Sequence, residues 1–167
     1  SSFAIHNFVK YWSAYHNVQV VKTVSIGLKE SYKLFSTVSL FHVRGIPILR
    51  VPVLTIDFLR LRCFAGARRS ARRYLKKLEF TPEVIVSHCA SGHLLAATLN
   101  DKFYHVPRVC GIHKADISKI LKGDRRYIRC FTHADLIACR STPIERRFKE
   151  LLAETPIEAP IYTTHSG

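Results

Sequence analysis

Apolar runs alternate with amphipathic segments along the second half of the sequence. Residues 83–88, 107–112 and 134–139 are short apolar runs with few polar positions, and 161–164 reads as a last short strand. Between them, helical spacing of apolar residues predicts helices over 91–104, 116–121, 124–133 and from Thr142 onward. This alternation predicts an α/β fold with a doubly wound, mostly parallel sheet and helices on both faces. The run 83–88 is expected to be covered on both faces.

The first half has a less regular pattern. Aromatic and aliphatic residues predict a first helix that His16-Asn17 ends, and a β-branched strand over 18–24 follows. The segment 25–44 is expected to hold a short helix and an extended piece. Prolines place a strand over 45–51 near a sheet edge, because proline cannot donate to a strand ladder. A long helix is predicted over about 56–78.

Two neighbouring strands of the predicted parallel sheet end in histidine. His88 follows the run 83–88, and His113 follows the run 107–112. Because ligands bind beyond the carboxyl ends of such strands, both side chains are expected to point into one crevice. A lone histidine is more often a half-buried residue bonded to a loop carbonyl, but two at equivalent strand ends favour a functional site. Asp116 can cap the next helix, orient His113 through its ring N–H, or do both.

The net charge of +14 predicts an anionic partner. The predicted helix over 56–78 carries basic residues on one face, with no acid between Arg60 and Glu79. A solvated face normally mixes both signs, so this face predicts binding to an anionic membrane surface. RNA is the rival partner, although the helix offers few aromatic side chains for base stacking. The basic residues assigned to the membrane contact are Arg68, Arg69, Arg72, Arg73, Lys76 and Lys77.

Several other functions find little support in the sequence. No strand is followed by a dinucleotide-binding or P-loop glycine motif, and no Gly-x-Ser-x-Gly elbow occurs. Cys-x-x-His occurs at 110–113 and at 130–133, which would suit zinc, but both cysteines fall inside elements and are expected to face the core. The odd count of five cysteines predicts reduced thiols. No apolar run approaches a membrane span, no signal peptide is evident, and the lack of methionine predicts a piece of a longer chain.

Five pieces of the sequence occur in a recognisable order. They are Glu83-Val-Ile-Val-Ser-His88, Leu94-Leu-Ala-Ala-Thr-Leu99, His105-Val-Pro-Arg-Val-Cys-Gly-Ile-His-Lys-Ala-Asp116, Ala134-Asp-Leu-Ile-Ala-Cys-Arg-Ser141 and Thr164-His-Ser-Gly167. In this order they resemble the N-terminal domain of the GT-B glycosyltransferases, specifically the retaining, family 4-like group. An earlier piece, His16-Asn-Val-Gln-Val-Val21, is similar to that group's Gly-His-Glu-Val-x-Val. The resemblance implies that 1–167 is one Rossmann-like domain on the acceptor side of a two-domain enzyme. A first strand would precede it, and a donor-binding domain would follow.

The resemblance also implies roles for individual residues. His113 and Asp116 take the catalytic positions, with His113 reaching the donor sugar. The acceptor side is formed by His88, Ser91 and Gly92, and the donor phosphates lie near Ser1 and Ser2. No metal or other cofactor is expected, because helix dipoles and basic side chains hold the leaving diphosphate in such enzymes.

The leading hypothesis is therefore a bacterial enzyme of polysaccharide or glycolipid synthesis. It would transfer a sugar from a nucleotide-sugar donor to a lipid-linked or glycan acceptor, with retention. Its expected place is cytoplasmic and peripheral at the inner face of the cell membrane, with no nucleic-acid partner. Alone, this chain is expected to be inactive. The alternatives are a non-enzymatic basic α/β module that binds RNA and a zinc-stabilised domain.

Overall fold

The computed structural model describes residues 2–34, 38–43, 45–56, 61–121, 125–153, 155 and 157–164. They form two compact units, Ser1–Phe80 and Thr81–Gly167, and each unit has its own four-stranded sheet. The chain is an α/β protein, as the alternating pattern predicts. That 1–167 acts as one acceptor-side domain stays a prediction.

The first unit begins with a helix and is built around one mixed sheet. A short 3-10 helix at Leu28–Lys33 lies between its first two strands. In chain order the other elements are α1 (Ser2–Ser13), β1 (Val20–Gly27), β2 (Ser39–Val43), β3 (Ile46–Ile56), β4 (Leu61–Cys63) and α2 (Ala65–Lys77).

Strand β3 is the central strand of this sheet, so its predicted edge position is wrong. It pairs in parallel with β1 along one side and antiparallel with β2 and β4 along the other. The prolines are tolerated because of where they fall. Pro47 lies next to the start of the strand. The described β2 pairing ends at Arg50 and the β4 pairing begins at Leu54, so Pro52 lies between them, opposite Val24 of β1.

The helix predicted over 56–78 starts too early. Ile56 is the last residue of β3, Leu61–Cys63 forms β4, and the helix begins only at Ala65. The segment before Ala65 pairs with β3 instead, because an antiparallel partner supplies hydrogen bonds to the backbone groups of β3. Leu61, which departs from the helical pattern of the sequence, pairs with Ile56. Helix α2 then packs on β3 through buried Ala67, Ala71 and Leu75.

The second unit follows the predicted alternation closely. A π-helical turn at Asn100–Tyr104 extends its first helix, in agreement with the predicted helix over 91–104. In chain order the elements are β5 (Ile85–His88), α3 (Ala90–Leu99), β6 (Arg108–Ile112), α4 (Lys114–Leu121), α5 (Arg125–Thr132), β7 (Leu136–Cys139), α6 (Thr142–Leu152) and β8 (Ile161–Thr163).

The sheet of the second unit has the order β5-β6-β7-β8, and every pairing is parallel. The parallel arrangement predicted for this half is confirmed. Strand β5 lies at one end of this sheet, and its residues alternate in exposure: Ser87 is buried, whereas Val86 is 37% exposed. The prediction that this strand is covered on both faces is wrong, because side chains of an end strand alternate between the packed face and the outside.

A cluster of aromatic residues forms the core of the second unit. Tyr127 and Phe131 of α5 and Phe148 of α6 are fully buried and meet edge to face, with ring centroids 5.2 and 5.5 Å apart. They pack with apolar side chains of β6 and β7, including Ile112 and Ile137. Edge-to-face packing of this kind stabilises a core beyond its buried area. It fixes α5 against the sheet, and α5 carries one residue of the site described next.

Candidate functional site

The carboxyl ends of β5 and β6 bring two histidine rings into contact. His88 is the last residue of β5, and His113 directly follows β6, which pairs with β5 in parallel. His88 Nδ1 lies 3.1 Å from His113 Nε2, and the ring centroids are 5.3 Å apart. One of these nitrogens donates and the other accepts, so one hydrogen bond joins the two rings. The sequence identifies both residues, and the structure joins them.

Gly111 makes room for this pair. It lies opposite His88 in the β5–β6 register. A Cβ added at Gly111 would overlap Cε1 and Nδ1 of the His88 ring and would lie 3.3 Å from its Nε2. The ring of His88 therefore rests directly on the backbone of β6. A glycine inside an apolar strand often marks such a close approach, and this signal could have identified Gly111 from the sequence.

We expect Gly111→Ala to displace His88 and to destabilise the fold. The added methyl group overlaps a ring that lies against the backbone of β6, and overpacking of this kind costs about 1–3 kcal/mol. Chemical denaturation gives the loss in free energy of unfolding, and NMR of the histidine rings reports the separation of His88 from His113. The matched control is Gly92→Ala, where an added Cβ meets nothing within 4 Å. Equal stability of the two variants and unchanged histidine signals would show that Gly111 is not needed for the pair.

Asp116 anchors the segment that carries His113. Its Oδ2 accepts the backbone N–H of His113 at 2.7 Å, and its own N–H donates to the His113 carbonyl at 2.9 Å. Its Oδ1 accepts a short hydrogen bond from the hydroxyl of Tyr127 on α5. An acidic residue at the third helical position that reaches back to the preceding backbone N–H is a capping arrangement. The sequence predicts that Asp116 caps α4, orients the ring of His113, or does both. This hydrogen bond corresponds to the capping role.

Burial keeps the histidine pair neutral, whereas hydrogen bonds and a neighbouring histidine keep the Asp116 carboxylate charged. Burial, followed by the neighbouring His113 and His93, lowers the pKa of His88 from 6.5 to about 4. Burial also lowers the pKa of His113. For Asp116, burial alone would raise the pKa, but His93, the Tyr127 hydroxyl and the His113 backbone N–H outweigh it, so the pKa is lowered. At neutral pH the strand ends therefore present two uncharged rings beside a fixed anion.

Sequence reasoning missed His93. It lies on α3 and is fully buried, with Nδ1 2.8 Å from the hydroxyl oxygen of Ser87. Its Nε2 is 3.9 Å from Oδ2 of Asp116, and its ring lies edge-on to Phe131 with centroids 5.2 Å apart. A histidine within a Leu- and Ala-rich helix is the only sequence signal, and an ordinary core histidine gives the same signal.

The turn between β5 and α3 is strained. Cys89 has φ 62°, in the left-handed region that residues with a side chain seldom occupy. Such residues cost about 1–3 kcal/mol and cluster at functional sites. Burial, reinforced by Asp116, raises the pKa of the Cys89 thiol, so it stays protonated at neutral pH. The strand ends at His88 and α3 starts two residues later, at Ala90, so that Ser91 and Gly92 fall in the first turn of that helix.

Other predicted site residues are placed as follows. Ser91 and Gly92 are both half-buried. Ser1 lies outside the described residues. Ser2 is the first residue of α1, but its side chain is outside the described part of the chain.

The two Cys-x-x-His pairs are not assembled around one point. Cys110 and Cys130 are buried in the core, as their positions in a strand and a helix predict, whereas His133 is exposed. Within the described ranges, no three His, Cys, Asp or Glu side chains are grouped so that they could hold a metal ion.

Helix α2 has one packed face and one cationic face, as the sequence predicts. Ala67, Ala71 and Leu75 are buried. Five of the six assigned basic residues are exposed and Arg68 is partly exposed; the exposed ones are Arg69, Arg72, Arg73, Lys76 and Lys77. No helix in the described part of the chain is long and apolar enough to cross a membrane.

Comparison with known proteins assigns no family. No family model matches the chain. No curated protein matches it either. The functional proposal therefore rests on the geometry of the strand ends, the charge of α2 and the resemblance of the sequence pieces.

Proposed function

We propose that this chain is the acceptor-side domain of a retaining glycosyltransferase with a GT-B fold and a doubly wound sheet, similar to the family 4 group. The observation that carries the proposal is the contact between His88 and His113 at the carboxyl ends of adjacent parallel strands. In open α/β sheets this edge is where ligands bind. Many kinds of reaction take place at such an edge. We propose sugar transfer because the sequence pieces occur in the same order as in the glycosyltransferases that they resemble.

In the proposed reaction, His113 orients the donor sugar. Its Nε2 already contacts His88, so its Nδ1 is the ring nitrogen proposed to form a hydrogen bond with a hydroxyl group of the sugar. Its backbone is tied to Asp116 by a 2.7 Å hydrogen bond, so its position is fixed before the donor arrives. His88, Ser91 and Gly92 form the acceptor side. The bond from the anomeric carbon to the diphosphate breaks, a bond to the acceptor oxygen forms on the same face of the sugar, and the proton of the acceptor hydroxyl passes to the leaving diphosphate.

No metal is needed in this proposal. The charge that develops on the leaving diphosphate is held by helix N-termini and basic side chains, most of them on a separate donor-binding domain. Ser1 and Ser2 are proposed to lie near these phosphates.

The direct test is a transfer assay on the full-length protein. It is incubated with a panel of radiolabelled nucleotide-sugars and a lipid-linked acceptor in anionic vesicles. We expect label to appear in the lipid fraction with one of the donors. The absence of labelled lipid or glycan with every donor, in a protein that is folded by circular dichroism, would contradict the proposal.

The cationic face of α2 is proposed to hold the protein at the inner face of a bacterial cell membrane. Anionic lipid attracts each nearby basic residue by about 1 kcal/mol, so several together can hold a peripheral protein without insertion. RNA is the rival partner for the same charge. The α2 aromatic Tyr74 is half-buried, and its hydroxyl donates to Gln19, so it is poorly placed to stack on a base.

We expect the triple substitution of Arg69, Arg73 and Lys77 by glutamate to abolish binding to anionic vesicles. The loss of three favourable contacts amounts to about 3 kcal/mol, or roughly a hundredfold in the partition coefficient, before any repulsion is added. The fold should survive because all three side chains are exposed. Vesicle sedimentation measures binding. Raising the salt should weaken binding of the parent, since the Debye length falls from about 8 Å to about 3 Å at 1 M.

A charge-matched control separates the patch from the overall charge. Lys22, Lys29 and Lys102 are exposed and lie outside α2, and their replacement by glutamate gives the same net charge as the α2 variant. This control should keep most of the binding. Equal loss in both variants would assign the effect to net charge alone. A parent protein that prefers RNA to lipid at equal salt would replace the membrane proposal with the RNA module.

A further inference from the structure

A buried polar network lies behind the strand ends, and the sugar-transfer proposal does not use it. Three residues of this network are almost completely buried: Ser87 is 4% exposed, His93 0% and Asp116 1%. Ser87 comes from β5, His93 from α3 and Asp116 from α4, and Tyr127 joins them from α5. Four elements thus place polar groups at one point inside the second unit.

Buried polar groups normally make hydrogen bonds, and a buried charge is costly unless it is paired. Nδ1 of His93 lies 2.8 Å from Ser87 Oγ, whereas its Nε2 makes no hydrogen bond with the described residues. The nearest charge to Nε2 is Oδ2 of Asp116, at 3.9 Å. That same oxygen accepts the backbone N–H of His113. The network therefore joins His93 to the backbone of the residue proposed to orient the donor sugar.

We propose that His93 is a positioning residue: as a buried cation it holds the Asp116 carboxylate, which in turn holds the backbone of His113 at the end of β6. The inference rests on the proposed role of His113 in sugar transfer. The ring of His93 faces Ser87 and His88 from β5, Cys110 from β6, Asp116 from α4 and Tyr127 from α5. Of these groups, Asp116 is the one that is anionic at neutral pH.

Electrostatics supports the charged form of His93. Burial alone would lower the pKa of His93, but Asp116 and Cys110 together outweigh it and the pKa is raised. The positive charge acts in turn on the two strand-end rings, because it contributes to the lowered pKa of both His88 and His113. Removing the charge of His93 should therefore raise both of these pKa values, which a merely structural role would not do.

The test is an NMR titration of the chain carrying His93→Gln, which keeps polar atoms in the side chain and removes the charge. We expect the ring pKa values of His88 and His113 to rise, and the backbone N–H of His113 to exchange with solvent at least tenfold faster. Cys139→Ala is the matched control: Cys139 is also fully buried, but the charges that act on its thiol are Glu145 and Lys149. The control should lower stability without moving either histidine.

A second variant covers the case in which His93→Gln does not fold. Tyr127→Phe keeps the aromatic core and removes the hydroxyl that donates to Asp116. It should also speed exchange of the His113 N–H. Unchanged histidine pKa values in a folded His93→Gln chain, or unchanged exchange in Tyr127→Phe, would overturn the inference. If the pKa values of His88 and His113 rise as expected but the full-length protein transfers no sugar, the positioning role of His93 is supported and the proposed function is contradicted.

Discussion

Under the proposed function, replacing His113 by alanine in the full-length protein is expected to lower the turnover of sugar transfer at least tenfold. A tenfold loss corresponds to about 1.4 kcal/mol of transition-state stabilisation, which is within the range of one well-placed hydrogen bond. His113 lies at the end of β6, where its ring contacts His88 and its backbone is held by Asp116. Removing the ring takes away the proposed contact to the donor sugar and leaves His88 without this partner. Steady-state transfer kinetics measure the effect.

The control for this substitution is His133→Ala. His133 lies in the same unit but is exposed and follows a helix rather than a strand. Its replacement should leave turnover unchanged. Binding to anionic vesicles should be the same in the parent and in both variants, because neither residue belongs to α2. Turnover of His113→Ala within twofold of the parent would remove His113 from the site.

The second large effect concerns pH. We expect the free energy of unfolding to fall as the pH is lowered from about 6.5 to about 4, by up to about 3 kcal/mol for His88. In this range the unfolded chain binds protons on His88 and His113, whereas the folded chain resists them because burial lowers both pKa values. The unfolded state is therefore favoured as protons are added. Urea denaturation at a series of pH values measures the change.

Two neighbouring titratable groups, His93 and Asp116, change the free energy of unfolding in other ranges of pH. The raised pKa of His93 gives stability that is complete below pH 6.5 and is lost as the pH rises through the folded-state pKa. The lowered pKa of Asp116 gives stability that is lost only as the pH falls below 3.8. His88→Gln should therefore flatten the dependence between pH 4 and 6.5. A parent whose stability does not change in this range, or a variant that keeps the full slope, would contradict the buried, neutral state of His88.

The fold of the second unit could be predicted from the sequence because each of its strands is a compact apolar run. Such runs, separated by helical patterns, leave few arrangements other than a parallel sheet. The fold of the first unit was harder to predict, because the pairing of its strands depends on tertiary contacts. Pro52 suggested an edge, yet β3 is central because this proline lies where the described pairings with β2 and β4 leave a gap. Ile56 and Leu61 belong to strands that pair with each other, although the pattern suggested one helix.

The candidate site was also predicted only in part. His88 and His113 could be found because each follows an apolar run, and the parallel register then brings the two together. Gly111 could have been identified as a glycine inside an apolar strand. His93 and Tyr127 could not be assigned, because their roles depend on side chains that only the folded chain brings near them. Tyr127 reaches Asp116 across 11 residues of sequence, and nothing in the local pattern of α5 distinguishes its hydroxyl from that of a surface tyrosine.

The most direct test of the proposed function is the anomeric configuration of the product. The full-length protein is given a nucleotide-sugar with a ¹³C-labelled anomeric carbon and a lipid-linked acceptor in anionic vesicles, and the product is examined by NMR. We expect the label on the acceptor in the same configuration as in the donor, formed by the parent and at least tenfold more slowly by His113→Ala. A product of inverted configuration, or equal rates in the two proteins, would contradict retaining transfer at the ends of β5 and β6.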